Sequence, residues 1–191
     1  MPLRRPRRLD DFEYIGEIAY SVTISTFHRV RAFSDREFAR LAREKLLRTA
    51  DKFGFSLIAY CLMPDHVHLL PLGVKTDSDF EAFIRSWNTQ TGYAWLRNHS
   101  TKLWQEGYYE RVIRNDVNLY LAARYIVMNP VRARLVEEAT AYEFSGSMRY
   151  TIEELLDDGY APYDEPEGSS PHDFSGAYDE PKGSSLQNRD P

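Results

Sequence analysis

His66 and His68 are separated by a single residue in the stretch Met63-Pro64-Asp65-His66-Val67-His68. Side chains alternate along a strand, so both imidazoles point to one face about 7 Å apart, while Val67 points to the other. Two imidazoles placed in this way can grip one divalent metal ion. The same spacing also serves two half-buried polar residues on a sheet, and the pair alone leaves both readings open. The residues just after the pair exclude several known chemistries. The metallo-hydrolase pattern H-x-H-x-D-H needs Asp and His at positions 70 and 71, which are Leu70 and Pro71. No H-E-x-x-H, Walker P-loop, G-x-G-x-x-G or G-x-S-x-G sequence occurs, so nucleotide-fuelled phosphoryl transfer and serine-esterase chemistry have no sequence support.

The elements that must position the histidines are legible as alternating strands and helices. AYSVTISTF (19–27) is rich in β-branched and aromatic residues and predicts a strand. Ser34, with Glu37 three residues on, predicts a capped helix start; Phe38, Leu41, Ala42, Leu46 and Ala50 give that helix an apolar face until Gly54 stops it. FSLIAYCLM (55–63) and HVHLLPLG (66–73) are strands joined at Pro64-Asp65, a hairpin. A second helix is expected from about Asp77 to Asn98, with Phe80, Phe83, Ile84 and Trp87 on one face. ERVIR (110–114) predicts a short strand, and a third helix runs from about Asp116 to Met128, where Asn129-Pro130 ends or kinks it. This order fits an α+β fold: a ferredoxin-like split βαβ antiparallel sheet with helices on one face and an added C-terminal helix.

Charge divides the chain. Residues 1–150 carry 22 Lys+Arg against 18 Asp+Glu, while residues 151–191 carry 2 against 11, so a body of +4 precedes a tail of −9. Arg4, Arg5, Arg7 and Arg8 form a basic arm within residues 1–9. The tail repeats YDEPEGSS (163–170) as YDEPKGSS (178–185) and is crowded with Pro, Gly and Ser. Such composition cannot repay its ordering entropy by burying apolar groups, which predicts a folded domain over 1–150, an acidic tail over 151–191 with the boundary near 150–158, and disorder over most of 158–191. One cysteine, Cys61, excludes an internal disulfide and a cysteine-rich zinc site. No apolar run approaches a membrane span and the N-terminal stretch lacks a signal-peptide core, so a cytoplasmic protein is expected.

Three separated stretches carry a family resemblance. Met63-Pro64-Asp65-His66-Val67-His68, then Leu103-Trp104-Gln105, then Tyr125-Ile126-Val127-Met128-Asn129-Pro130-Val131-Arg132-Ala133 together resemble the single-tyrosine HUH transposases, in particular the REP-associated tyrosine transposases. The likeness spans roughly residues 10–147, up to Phe144-Ser145-Gly146-Ser147, and leaves the acidic tail outside. Asp65 stands where many members carry Asn.

The resemblance implies a divalent ion, Mg²⁺ or Mn²⁺, held by His66, His68 and Asn129, with Tyr125 as nucleophile. Tyr125 and Asn129 are i and i+4, so one helix face would carry both. Tyr125 is also one of thirteen tyrosines and sits in the apolar run LAARYIVM, where an aromatic side chain equally serves the core. The implied activity is cleavage and rejoining of single-stranded DNA at palindromic hairpins through a 5′-phosphotyrosine, without a nucleotide cofactor. A hairpin-binding protein that no longer moves DNA and a nuclease in which water attacks are the alternatives. The arm and Arg124 and Arg132 are candidate DNA contacts by charge. A monomer or a homodimer would serve, with the tyrosine helix completing its own site or a partner's.

Overall fold

The computed structural model describes residues 13–157. The basic arm, including Arg4, Arg5, Arg7 and Arg8, and the repeats of the acidic tail lie outside the described residues. Five strands, β1 (Ala19–Ser25), β2 (Phe55–Met63), β3 (His66–Gly73), β4 (Tyr109–Ile113) and β5 (Ser145–Gly146), form one sheet in the order β4-β1-β3-β2-β5. Every pairing is antiparallel. The first four strands have the ferredoxin-like order, with β3 in the middle, and β5 adds an edge beside β2. The helices are α1 (Arg36–Lys52), α2 (Phe80–Leu96), α3 (Asp116–Val127), α4 (Asn129–Arg132) and α5 (Ile152–Leu156).

The helices do not all share one face. Phe38, Ala39, Ala42, Leu46 and Ala50 of α1 and Phe80, Phe83, Ile84 and Trp87 of α2 pack on Tyr20, Val22, Ile24, Leu57, Leu62, Val67 and Leu69 of the sheet. Ala122, Ala123, Ile126 and Val127 of α3 pack instead on Ile58, Ala59, Cys61, Met63 and Leu70. The reason lies in β2, whose apolar run leaves both of its faces in need of cover. A bulge between Leu57 and Ala59 sets Ile58 and Ala59 together on the α3 side.

Local chemistry sets the helix starts. The first helix begins one residue later than the Ser34 reading: Asp35 is the N-cap, its carboxylate accepting from the Glu37 and Phe38 amides at 3.0 and 3.3 Å, while Ser34 closes a short 3-10 turn. Leu41 is exposed and Ala39 takes its place in the buried face. Asp79 caps α2, whose start falls three residues later than expected, and Asn115 caps α3. Near Met128 the chain kinks into α4, which Arg134, at φ 55°, brings to an end. Thr151 and Glu154 form a reciprocal capping box that starts α5, and Leu155 is buried in the core beneath α3. Packing therefore continues to Asp157, within the stretch 150–158 where the boundary is expected.

Two clamps fix the turn that leads into the histidines. Thr26, fully buried, donates its hydroxyl at 2.8 Å to the carbonyl of Asp65, and the Thr26 amide donates to that same carbonyl at 3.0 Å. The Phe33 amide donates to the Pro64 carbonyl at 3.0 Å. The Leu103-Trp104-Gln105 step runs along the end of β1: the Phe27 amide donates to Leu103, the Gln105 amide to Ser25, and the Trp104 indole to Thr91 Oγ1.

At the far end of β3, Gly73 lies against the backbone of Gly16, where a Cβ would sit 2.0 Å from the Gly16 carbonyl oxygen. Backbone cannot yield as a flexible side chain can. Gly73→Ala is expected to destabilise the fold by about 1–3 kcal/mol, the range for overpacking a tight site, read as a lower urea midpoint with an unchanged m-value.

Candidate active site

Strand alternation decides which side of the sheet carries the two histidines. Val67 and Leu69 of β3 enter the core beneath α1 and α2, so His66, His68 and Leu70 face α3. β1 places Thr23 directly opposite His68 and Ser25 opposite His66. The α3-facing side of the central strands is therefore polar at the histidine end and apolar beyond Leu70. Both histidines are buried, at 7% and 8% exposure.

The imidazoles meet edge to face, with their Nε2 atoms 3.0 Å apart. The opposite nitrogen of each ring is engaged. His66 Nδ1 is 2.7 Å from Asp65 Oδ1, and His68 Nδ1 is 3.0 Å from Thr23 Oγ1. Burial pushes the Asp65 carboxyl up, but the hydrogen bond from His66 and the charge of Arg29 outweigh it and hold Asp65 below the usual carboxylate range. A carboxylate only accepts, so His66 Nδ1 carries a proton toward Asp65. Burial first, then the charges of His66, Arg132 and Arg29, hold His68 well below the ordinary imidazole value, so it is neutral at neutral pH.

These nitrogens fit a divalent ion. Two donors each about 2.0–2.1 Å from a metal and about 90° apart would be separated by about 3.0 Å, which is the Nε2 spacing found here. Partners on the far nitrogens are what orient ligating histidines. Among the described residues no cluster of three or more His, Cys, Asp or Glu side chains could hold an ion. A third protein donor would therefore be of another type, such as an amide.

Tyr125 stands beside this pair: its ring lies 6.4 Å from that of His68, at 89° to it. Asn129, one turn along and 4% exposed, donates its amide nitrogen to the Tyr125 and Ile126 carbonyls at 3.2 and 3.3 Å, and its oxygen accepts from Arg132 Nη2 at 2.9 Å. The Arg132 guanidinium also covers the Tyr125 ring, with Cζ 3.5 Å from the ring centre, a cation–π contact of about 0.5–2 kcal/mol in general. His66, His68 and Tyr125 are thus brought together, and Asn129 is joined to Tyr125 and Arg132. Arg124 is half-buried on α3.

Residues 15–129 match the family model described as "Transposase IS200 like". The chain belongs to this transposase family. A Haemophilus influenzae protein named for the REP-associated tyrosine transposases is 24% identical over 163 residues, covering 80% of this chain and 88% of the relative. The REP-associated tyrosine transposase of Escherichia coli K12 is 26% identical over 107 residues, 56% of this chain and 62% of that one. A solved REP-associated tyrosine transposase bound to a REP hairpin shares the fold, with a TM-score of 0.63 at 22% identity, covering 75% of this chain and 82% of that one.

Three residues of this IS200-like transposase were not singled out by sequence reasoning as parts of the site. Thr23 could have been found from the polar alternation Ser21, Thr23, Ser25 between Tyr20, Val22 and Ile24. Asp65 was legible only as a neighbour of His66, and its hydrogen bond depends on the turn. Arg29 gave no local signal. It adopts φ 56°, next to His28 at 51°, and reaches Asp65 Oδ2 at 3.2 Å and Ser25 Oγ at 3.3 Å. Left-handed backbone at two consecutive non-glycine residues costs on the order of 1–2 kcal/mol each, and here it accompanies a tie to the turn beside the histidines. Asp65→Ala removes the acceptor that fixes the His66 tautomer. It is expected to weaken Mn²⁺ binding, followed by electron paramagnetic resonance, by about 10–100-fold, with an unchanged far-ultraviolet circular dichroism spectrum.

Proposed function

We propose that this chain is a tyrosine transposase of the REP-associated type, which cuts and rejoins single-stranded DNA beside palindromic hairpins. The observation that carries the reading is the placement of Tyr125 against His68, on the sheet face where the two Nε2 atoms converge. Hairpin DNA as substrate follows from the relatives, one of which is solved with a REP hairpin bound.

In the proposed reaction the Tyr125 oxygen attacks phosphorus. A bond forms between that oxygen and phosphorus while the bond to the DNA 3′ oxygen breaks. The phenol proton passes to water, and the 3′ oxygen leaves with the bonding pair and takes a proton from water. One ester replaces another, so the 5′-phosphotyrosine retains the bond energy and the free 3′-OH can reverse the step. This accounts for a chain without a nucleotide-binding motif. His66 and His68, with Asn129 as third donor, would hold Mg²⁺ or Mn²⁺, and an ion bound there supplies Lewis-acid polarisation of the scissile phosphate. Asp65 and Thr23 keep the ring nitrogens aimed at that position.

Purified protein with Mn²⁺ and a cognate single-stranded hairpin is expected to form an SDS-resistant adduct. Tyr125→Phe, which deletes only the attacking oxygen, should abolish that adduct while hairpin affinity stays within about threefold, roughly 0.6 kcal/mol. Adduct formation by the variant would move the nucleophile to another tyrosine. Cleavage without adduct in the parent protein would point to attack by water, and binding without cleavage to a hairpin-binding protein.

A further inference from the structure

Arg132 has two independent contacts at the proposed site: its planar face lies on the Tyr125 ring at 3.5 Å, and its edge donates to Asn129 Oδ1 at 2.9 Å. We infer that Arg132 is a positioning residue, which locks the Tyr125 ring and the Asn129 amide into one unit aimed at the histidine pair. The inference rests on the reading of Tyr125 as nucleophile.

Tyr125, Asn129 and Arg132 fall at i, i+4 and i+7, a single stripe along a helix. Tyr125 and Arg132 would be separated by about 10.5 Å along a straight axis. Two features close that gap. Helical side chains lean toward the N-terminus, so Arg132 reaches back across Asn129 toward Tyr125. The helix is also interrupted at Met128, and the amides of Ala133 and Arg134 donate back to Asn129 and Val131, fixing the short turn that carries Arg132.

The Tyr125 side chain is half-buried against the core under α3, and a phenol on a helix rim has rotamers that point away from the sheet. A guanidinium on one ring face, with His68 perpendicular to the ring, selects the rotamer that keeps Tyr125 beside the histidines. A lysine could supply the charge but neither the flat stacking surface nor the edge bond to the asparagine. The role therefore differs from that of a phosphate contact, for which charge is what matters.

Arg132→Lys and Arg132→Gln separate the possibilities. At saturating hairpin and saturating Mn²⁺, both variants should form the adduct at least tenfold more slowly than the parent in a single turnover. Hairpin affinity of the Lys variant should stay within about threefold. A second measurement needs neither DNA nor metal: 3-fluorotyrosine placed at position 125 should give one sharp ¹⁹F resonance in the parent, which shifts and broadens in Arg132→Lys as the ring is released. A Lys variant with parental single-turnover rate, or one whose whole loss is in hairpin affinity, would overturn the inference in favour of a charge contact. An unchanged fluorine line in a folded variant would overturn it as well. Adduct formation by Tyr125→Phe would instead bring down the nucleophile reading, which the fluorine experiment does not test.

Discussion

β3 is hydrogen-bonded on both sides, to β1 and to β2, and its residues must serve two buried faces at once. That constraint organises the molecule. Val67 and Leu69 anchor the larger core under α1 and α2, and the alternate positions are left to face α3. A slip of one residue along the partner strands would drive both imidazoles into the larger core and expose valine and leucine in their place. The apolar residues that hold the register therefore also hold the histidines on the α3 side. Beyond Leu70 that side closes against Ala122 and Ala123, whose small side chains let α3 approach the sheet closely.

Burying two imidazoles side by side is tolerable because each ring has a polar partner on its far nitrogen. Asp65 accepts a hydrogen bond from His66 Nδ1, Thr23 satisfies His68 Nδ1, and the surroundings disfavour protonation of His68. The price is a turn held by several partners at once: Thr26 and Phe33 on the backbone of Pro64 and Asp65, and Arg29, in a strained conformation, on the Asp65 carboxylate. The Leu103-Trp104-Gln105 step supports the β1 end of this arrangement from the other direction, through hydrogen bonds that the Leu103 and Ser25 carbonyls accept from the Phe27 and Gln105 amides. A motif read for packing and turn formation thus borders the candidate site.

Legibility varied with the range of the interaction. The hairpin of β2 and β3, the two long helices and the third helix ending at Asn129-Pro130 could be read because their signals are local: alternation, apolar stripes, turn residues. The start of α1 was displaced by one residue because Ser34 and Asp35 both qualify as caps, and only backbone geometry selects the carboxylate. The start of α5 was not foreseen, since its capping box of Thr151 and Glu154 lies in a stretch of acidic composition. Leu155, buried beneath α3, is what makes that segment part of the domain.

The sequence alone determined which residues could be chemical partners, since H-x-H on a strand and Y-x-x-x-N on a helix each fix a shared face by the period of their own backbone. It also determined the order of strands and helices, from which the ferredoxin-like plan follows. Only the tertiary structure decided that the two faces meet. α3 packs across the sheet from α1 and α2 because β2 is apolar on both sides, and this brings Tyr125 to His68 from more than fifty positions away in the chain. The same applies to the contacts of Thr23, Arg29 and Arg132, which depend on register, a strained turn and the break between α3 and α4. Local periodicity specifies direction, whereas contact between distant segments depends on how several faces are buried together.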